Sequence, residues 1–326
     1  MIRIACAAFV SFGLCGAAPG FDLQGHRGAR GLAPENTLEG FRAALAVGVT
    51  TLELDLGLSR DGVVVVTHDA ALNPEITRGP DGKFLASPGP PIRSLTFAEL
   101  QHYDVGRIRP GTAYAARFPR QRGIDGARIP RLADVFALTR GSGAAHIRFN
   151  IETKIAPTQG HGSPEPETFA QALAAEIRAA KLEDRVSVQS FDWRTLIALK
   201  AIAPEIARVC LTVEADWEDN LARNRPGPSP WTAGFDLDDF GGAAPRLAAA
   251  AGCATWSPYF RNVTEKSVAE AKAAGIAVIP WTVNEVADMG RLIGMGVDGL
   301  ITDHPERLRG VMAARGMNLP PRVDAK

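Results

Sequence analysis

Cysteine is scarce in this chain: four in 326 residues, and two of them, Cys6 and Cys15, fall within the first twenty positions. The remaining pair, Cys210 and Cys253, gives no disulfide framework that can be read from spacing. Both stand in apolar, strand-like runs, so buried free thiols are expected in preference to a bridge or a metal pair. Excess charge is missing as well, since 36 basic side chains balance 36 acidic ones and no long run of either sign occurs. That excludes general binding of nucleic acid or of a membrane surface through bulk charge, and any phosphate recognition must be local. Also absent is an apolar run of the roughly 20 residues that a membrane-spanning helix needs.

The nearest approach to such a run is the opening stretch, "MIRIACAAFVSFGLCGAAPG", with one Arg, an apolar segment from Ile4 to about Ala18, and then Pro19. This layout predicts a secretory signal peptide over residues 1–18, cleaved near Ala17 or Ala18. A retained anchor fits less well because the segment is short, and lipoprotein processing at Cys15 fits less well because Leu14 is large. The expectation is an exported protein, periplasmic or secreted, with no stable membrane anchor after cleavage and one domain over residues 19–326.

What the chain has in quantity is alternation. Strand-like runs at "FDLQGH", "TTLELDLGL", "HIRFNIETK", "RVSVQS", "IARVCLT", "CATWSP", "IAVIPWTV" and "DGLITD" are separated by helical patterns over 36–46, 131–139, 167–180, 194–201, 243–251, 264–274, 285–293 and 305–313. The first helix carries Leu38, Phe41 and Leu45 at helical spacing, with Asn36 as its expected N-cap and Glu39 three residues on. "AAGI" at 273–276 and "GVDG" at 296–299 repeat one idiom, in which glycine supplies the exit from a helix into a strand. Eight such units predict an α/β fold, a (β/α)₈ TIM barrel. Residues 70 to about 128 exceed an ordinary connection and form an insertion after the second strand, placed as an excursion over the active face. Residues 214–234 form a second, Pro-rich loop, and neither stretch has enough periodic apolar residues for a core of its own.

The barrel reading sorts the stretch "TLELDLGLSRDGVVVVTHD" into faces. Leu52, Leu54, Leu56 and Leu58 share the side toward the helices, whereas Glu53 and Asp55 share the lumen side. "NIETK" does the same with Asn150, Glu152 and Lys154. Burying such carboxylates without a partner costs several kcal/mol, so something cationic must compensate. An internal salt-bridge network with Lys154 and an arginine is one answer. Three acids at two strand ends favour another, a divalent cation held by Glu53, Asp55 and Glu152, and an all-oxygen set favours Ca²⁺ or Mg²⁺ over Zn²⁺. His26 ends the first strand, and His68 ends the return strand of a hairpin whose Asp61-Gly62 pair suits a turn. Two histidines at one mouth, beside acids, Arg27 and Lys154, suggest a general acid and base flanking a phosphate. His102, His146, His161 and His304 lack such neighbours and are assigned structural or surface places.

The segments "HRGARGLAPENTLEGF", "ELDLGLSRDGVVVVTHD", "IPRLADVFAL", "NIETK", "VSVQSFDW", "PWTVN" and "GVDGLITDHPE", in this order, resemble the glycerophosphodiester phosphodiesterase family, secreted bacterial members included. The resemblance spans nearly all of the chain after the leader. It implies a (β/α)₈ barrel and the hydrolysis of deacylated phospholipids such as glycerophosphocholine to an alcohol and sn-glycerol 3-phosphate. By this resemblance His26 and His68 match the acid/base pair and Glu53, Asp55 and Glu152 the ligands of one divalent cation. Arg27 and Lys154 match the phosphate-stabilising cations, and Gln189 and Trp281 match substrate-lining positions. Attack by the glycerol 2-hydroxyl and direct attack by water both stay open. Asn36 and Asp303 are read as helix caps, and Arg60, where many members have threonine, is placed at a turn. Two alternatives remain. A lysophospholipase D-like enzyme would use an apolar rim, for which the insertion offers Phe84, Leu85, Ile92, Leu95 and Phe97; a non-catalytic phosphodiester-binding protein would need a broken polar set, which this chain does not have.

Overall fold

The computed structural model describes residues 20–140, 143–157 and 164–324. The expected signal peptide, its cleavage point and His161 lie outside the described residues. Among those described, no helix is long and apolar enough to cross a membrane.

The strands in chain order are β1 (Asp22–Gly25), β2 (Thr51–Leu58), β3 (Val64–Val66), β4 (Arg148–Thr153), β5 (Val186–Ser190), β6 (Ala207–Thr212), β7 (Glu214–Ala215), β8 (Glu218–Asp219), β9 (Thr255–Pro258), β10 (Ala277–Val278) and β11 (Gly299–Thr302). Eight of them form one parallel sheet in the order β10-β9-β6-β5-β4-β2-β1-β11. Hydrogen bonds from Asp298 N to Val278 O and from Ile301 N to Pro280 O, each 2.9 Å, draw its two ends together. The result is a nearly closed (β/α)₈ barrel. Helices α1 (Leu38–Val47), α4 (Leu132–Leu138), α5 (Pro166–Ala180), α6 (Trp193–Ile202), α7 (Ala244–Ala250), α8 (Glu265–Ala273), α9 (Val286–Met295) and α10 (Pro305–Ala314) alternate with the strands; α2 (Phe97–Leu100) and α3 (Ala113–Arg117) lie in the insertion.

The helix-side core follows the expected register: Leu52, Leu54 and Leu56 are wholly buried in a cluster with Phe41, Leu45, Phe136 and Phe149. Gly28, at φ 87°, lets the loop after β1 lie directly on α1, because a Cβ there would sit 2.7 Å from the Gly40 carbonyl carbon.

Four expectations are corrected. Cys210 and Cys253 are joined in a disulfide, Cα–Cα 5.8 Å, rather than standing as free thiols. Parallel pairing of β6 with β9 sets Cys210 opposite Trp256, and this brings together cysteines 43 residues apart in sequence. The N-cap of α1 is Thr37, whose hydroxyl accepts from Gly40 N at 3.0 Å, because Asn36 adopts a left-handed φ of 53° and turns its amide elsewhere. Before α10 the cap position falls to His304, with Asp303 directed into the barrel mouth. The insertion does have a small core, in which Val65 of β3 packs with Leu72, Ile92, Leu100, Val105 and Ile129. Leu85, Leu95 and Phe97 pack against it, so these side chains serve the insertion and not the rim of the barrel.

Candidate active site

At the carboxyl ends of the barrel strands, where enzymes of this architecture keep their chemistry, lies a cavity of about 510 Å³. It is lined by His26, Arg27, Glu53, His68, Glu152, Lys154, Gln189 and Trp281, so eight of the nine predicted site residues meet there, and the ninth, Asp55, lies directly behind. Strand pairing does the gathering. β2 and β4 run parallel with Asp55 opposite Glu152, and β4 and β5 with Glu152 opposite Gln189. The antiparallel return of β3 then delivers His68 to the same mouth.

Glu53, Asp55 and Glu152 are all buried and can each present an oxygen within 4.8 Å of the others. Glu53 accepts from Arg27 N and from Gln189 Nε2, both at 2.8 Å. Asp55 Oδ2 accepts from Asn36 Nδ2 at 2.9 Å and lies 3.1 Å from Arg27 Nε, while its Oδ1 is buried with no hydrogen-bond partner. Glu152 accepts from Lys154 Nζ at 2.7 Å. The electrostatics follow from this crowding. Burial and the neighbouring Asp55 push Glu53 well above the usual carboxylate range. Burial lifts Glu152 to about 7, with the Asp55 charge adding and Lys154 opposing. Burial would raise Asp55 too, but Arg27, His68 and Lys154 outweigh it and hold the group low. Burial and crowding thus raise the proton affinity of two of the three acids.

Each histidine is oriented by a carboxylate on its Nδ1. For His26 this is Asp303 Oδ1 at 2.6 Å, and for His68 it is Asp69 Oδ1 at 2.8 Å. Each carboxylate is itself held: Asp303 by Arg30 Nε at 2.8 Å and Asn284 Nδ2 at 2.7 Å, Asp69 by Asn73 Nδ2 at 2.8 Å. Burial together with Arg30 lowers His26 to about 4 despite Asp303, and burial with Arg27 and Lys154 lowers His68. Arg27 donates to Glu35 at 2.7 Å, and Glu35 in turn accepts from Tyr114 of α3, so the insertion braces a cation of the site.

Several of these groups escaped sequence reasoning. Arg30, Asp69, Asn284 and Tyr114 fall in no pattern that marks them, and Asn36 and Asp303 have an ordinary use as helix caps. One signal was available: Asp303 follows the last barrel strand as His26 follows the first, and adjacent parallel strands end side by side. His102 and His146 stay outside the site, and His304 is buried beside Gly31.

Comparison with known proteins gives this geometry a context. The model of the glycerophosphoryl diester phosphodiesterase family matches residues 26–307. The chain belongs to that family. It is therefore classed among the phosphoric diester hydrolases. A glycerophosphodiester phosphodiesterase of Caldanaerobacter subterraneus is 28% identical over 291 residues, covering 89% of this chain and 97% of that relative. A Silicibacter pomeroyi protein, whose crystal structure is named for glycerophosphoryl diester phosphodiesterase, is 34% identical with a TM-score of 0.81, covering 92% of this chain and 96% of the other. An Oleispira antarctica phosphodiesterase, solved with the product sn-glycerol-3-phosphate, shares the fold at 24% identity and a TM-score of 0.64, with 89% and 96% covered.

Proposed function

We propose that this member of the family hydrolyses glycerophosphodiesters such as glycerophosphocholine to an alcohol and sn-glycerol 3-phosphate, with His26 and His68 as the acid/base pair. The observation that carries the reading is the pair of buried histidines, each fixed at Nδ1 by its own carboxylate, at a cavity that also holds Glu53, Glu152 and Lys154. With Nδ1 engaged, Nε2 of each ring is the atom left to exchange a proton with a bound substrate. One ring takes the proton of the nucleophile, water or the glycerol 2-hydroxyl, as the other gives a proton to the departing alcohol oxygen; where the 2-hydroxyl attacks, water then opens the cyclic phosphate with the two roles reversed, and both routes end at sn-glycerol 3-phosphate. Arg27 and Lys154 offer positive charge to the phosphate oxygens, and Gln189 and Trp281 line its surroundings.

The carboxylate trio suits a hard divalent cation, Ca²⁺ or Mg²⁺. Its donors are all oxygen, its Asp55 Oδ1 has no partner, and its members are buried close enough to raise two of one another's proton affinities. Bound there, the ion would supply charge stabilisation to the phosphate. A lysophospholipase D-like activity has less support, since Leu85, Ile92, Leu95 and Phe97 are spent inside the insertion. The Cys210–Cys253 bond favours an oxidising compartment, in keeping with an exported, periplasmic or secreted enzyme.

The test is His68→Ala. Loss of about 10²-fold or more in kcat on glycerophosphocholine is expected, with an unchanged unfolding midpoint to show that the fold is intact. Near-normal turnover by the folded variant would remove His68 from the acid/base pair.

A further inference from the structure

Beside the carboxylates the cavity opens into a second lobe of about 380 Å³. Glu152, Lys154, Phe191 and Trp281 line both volumes, so the lobe begins where the phosphate would sit. Its walls have another chemistry. Phe191, Trp217, Trp231 and Trp281 supply aromatic rings, and Glu218 supplies a carboxylate. Phe191 meets Trp281 edge to face with centroids 5.2 Å apart, and Tyr259 bridges Trp281 and Trp217 at 5.7 Å to each. Trp217 sits in the turn between β7 and β8 and is 61% exposed, an indole presented to solvent at the rim. Glu218 forms no ion pair among the described residues. Lys154, by contrast, is paired with Glu152 and marks the phosphate end of the lobe.

We propose that this lobe is the headgroup subsite and that it takes a quaternary ammonium alcohol, the leaving group of a choline-type diester. This rests on the phosphodiesterase reading of the site. A trimethylammonium group has no N–H to donate; its diffuse charge is satisfied by aromatic rings and by a carboxylate at longer range, and both line this lobe. A primary ammonium would need several acceptors, and of the other carboxylates lining the lobe Asp69 is engaged by His68 and Asn73 and Glu152 by Lys154; a glycerol or inositol headgroup would need donors as well as acceptors. An acyl chain could use the rings, but it would leave the Glu218 charge without purpose.

The experiment compares KM and kcat for glycerophosphocholine, glycerophosphoethanolamine and glycerophosphoglycerol in the wild type, Trp217→Ala, Trp217→Phe, Trp217→Leu and Glu218→Gln. Because Trp217 is largely exposed, its substitution leaves the fold intact, and an unfolding curve for each variant checks this. Trp217→Ala and Trp217→Leu should raise KM for the choline diester about tenfold more than for the glycerol diester. Trp217→Phe should recover most of the difference, and Glu218→Gln should act in the same direction as Trp217→Ala. Equal effects on all three substrates, or a Trp217→Leu variant as selective as the wild type, would overturn the assignment while leaving the phosphodiesterase reading in place. If the wild type hydrolysed none of the three diesters, that reading would fall and the headgroup subsite with it.

Discussion

Asp303 lies 2.6 Å from Nδ1 of His26 and receives Arg30 and Asn284 on its two oxygens. It is a positioning residue, acting on the reaction through the tautomer and direction of the imidazole. Asp303→Asn should therefore lower kcat by about 10²–10⁴-fold with a much smaller change in KM, as steady-state kinetics on glycerophosphocholine would measure. A matching fall in stability with unchanged kcat in the folded fraction would reduce Asp303 to a structural role. The same residue has a pH signature. Burial would raise its pKa, but Arg30 and His26 outweigh that and hold it well below the carboxylate range. Its stabilising contribution is thus fully present above the ordinary value, about 3.9, and is lost as pH falls through the lowered one. The variant should accordingly lose less of its stability than the wild type on acidification below about pH 4. Asp303 was hidden in the sequence because a carboxylate two residues before Pro305 has an ordinary use at a helix start. Glu53 and Asp55 were legible because carboxylates alternating with leucines along a buried strand have no ordinary use.

Among the elements, β2 shows how far pattern alone reaches. Its period of two assigns every side chain from Thr51 to Leu58 to a face, and both the core contacts of Leu52, Leu54 and Leu56 and the site contacts of Glu53 and Asp55 agree with it. The insertion was less legible. Val65, Leu72, Ile92, Leu100, Val105 and Ile129 follow no single period, and they become a core only when the chain folds back beside β3. The β7–β8 hairpin leaves no trace in the sequence for a related reason, since its two-residue strands are too short to show alternation. The disulfide was invisible because it depends on which strands are neighbours. Linking positions 43 residues apart, it should contribute about 2–4 kcal/mol through the unfolded chain. A Cys210→Ser/Cys253→Ser variant, denatured with guanidinium, should show a loss of that size. No change in the unfolding free energy would mean that the bond does not constrain the unfolded chain.

For the molecule as a whole, the balance of 36 acidic and 36 basic side chains hides a local concentration of both signs. Arg27, Arg30 and Lys154 are gathered with Glu35, Glu53, Asp55, Glu152 and Asp303 at one end of the barrel, where low exposure strengthens every interaction among them. The fold was readable because eight βα units leave a repeated trace. The cavity required coordinates, because alternation says which side chains share a face and not which faces meet. The unpartnered Asp55 oxygen and the closeness of the three buried carboxylates support the proposal that a divalent cation at the trio is needed for phosphodiester hydrolysis. The most direct measurement is glycerophosphocholine hydrolysis by the folded protein after exhaustive chelation with EDTA, and again after Ca²⁺ or Mg²⁺ is restored, with the unfolding midpoint followed in parallel. Activity should vanish on chelation and return with one of the two ions, which should also raise the midpoint, and Glu53→Gln should abolish both responses. Undiminished hydrolysis after rigorous chelation would contradict it.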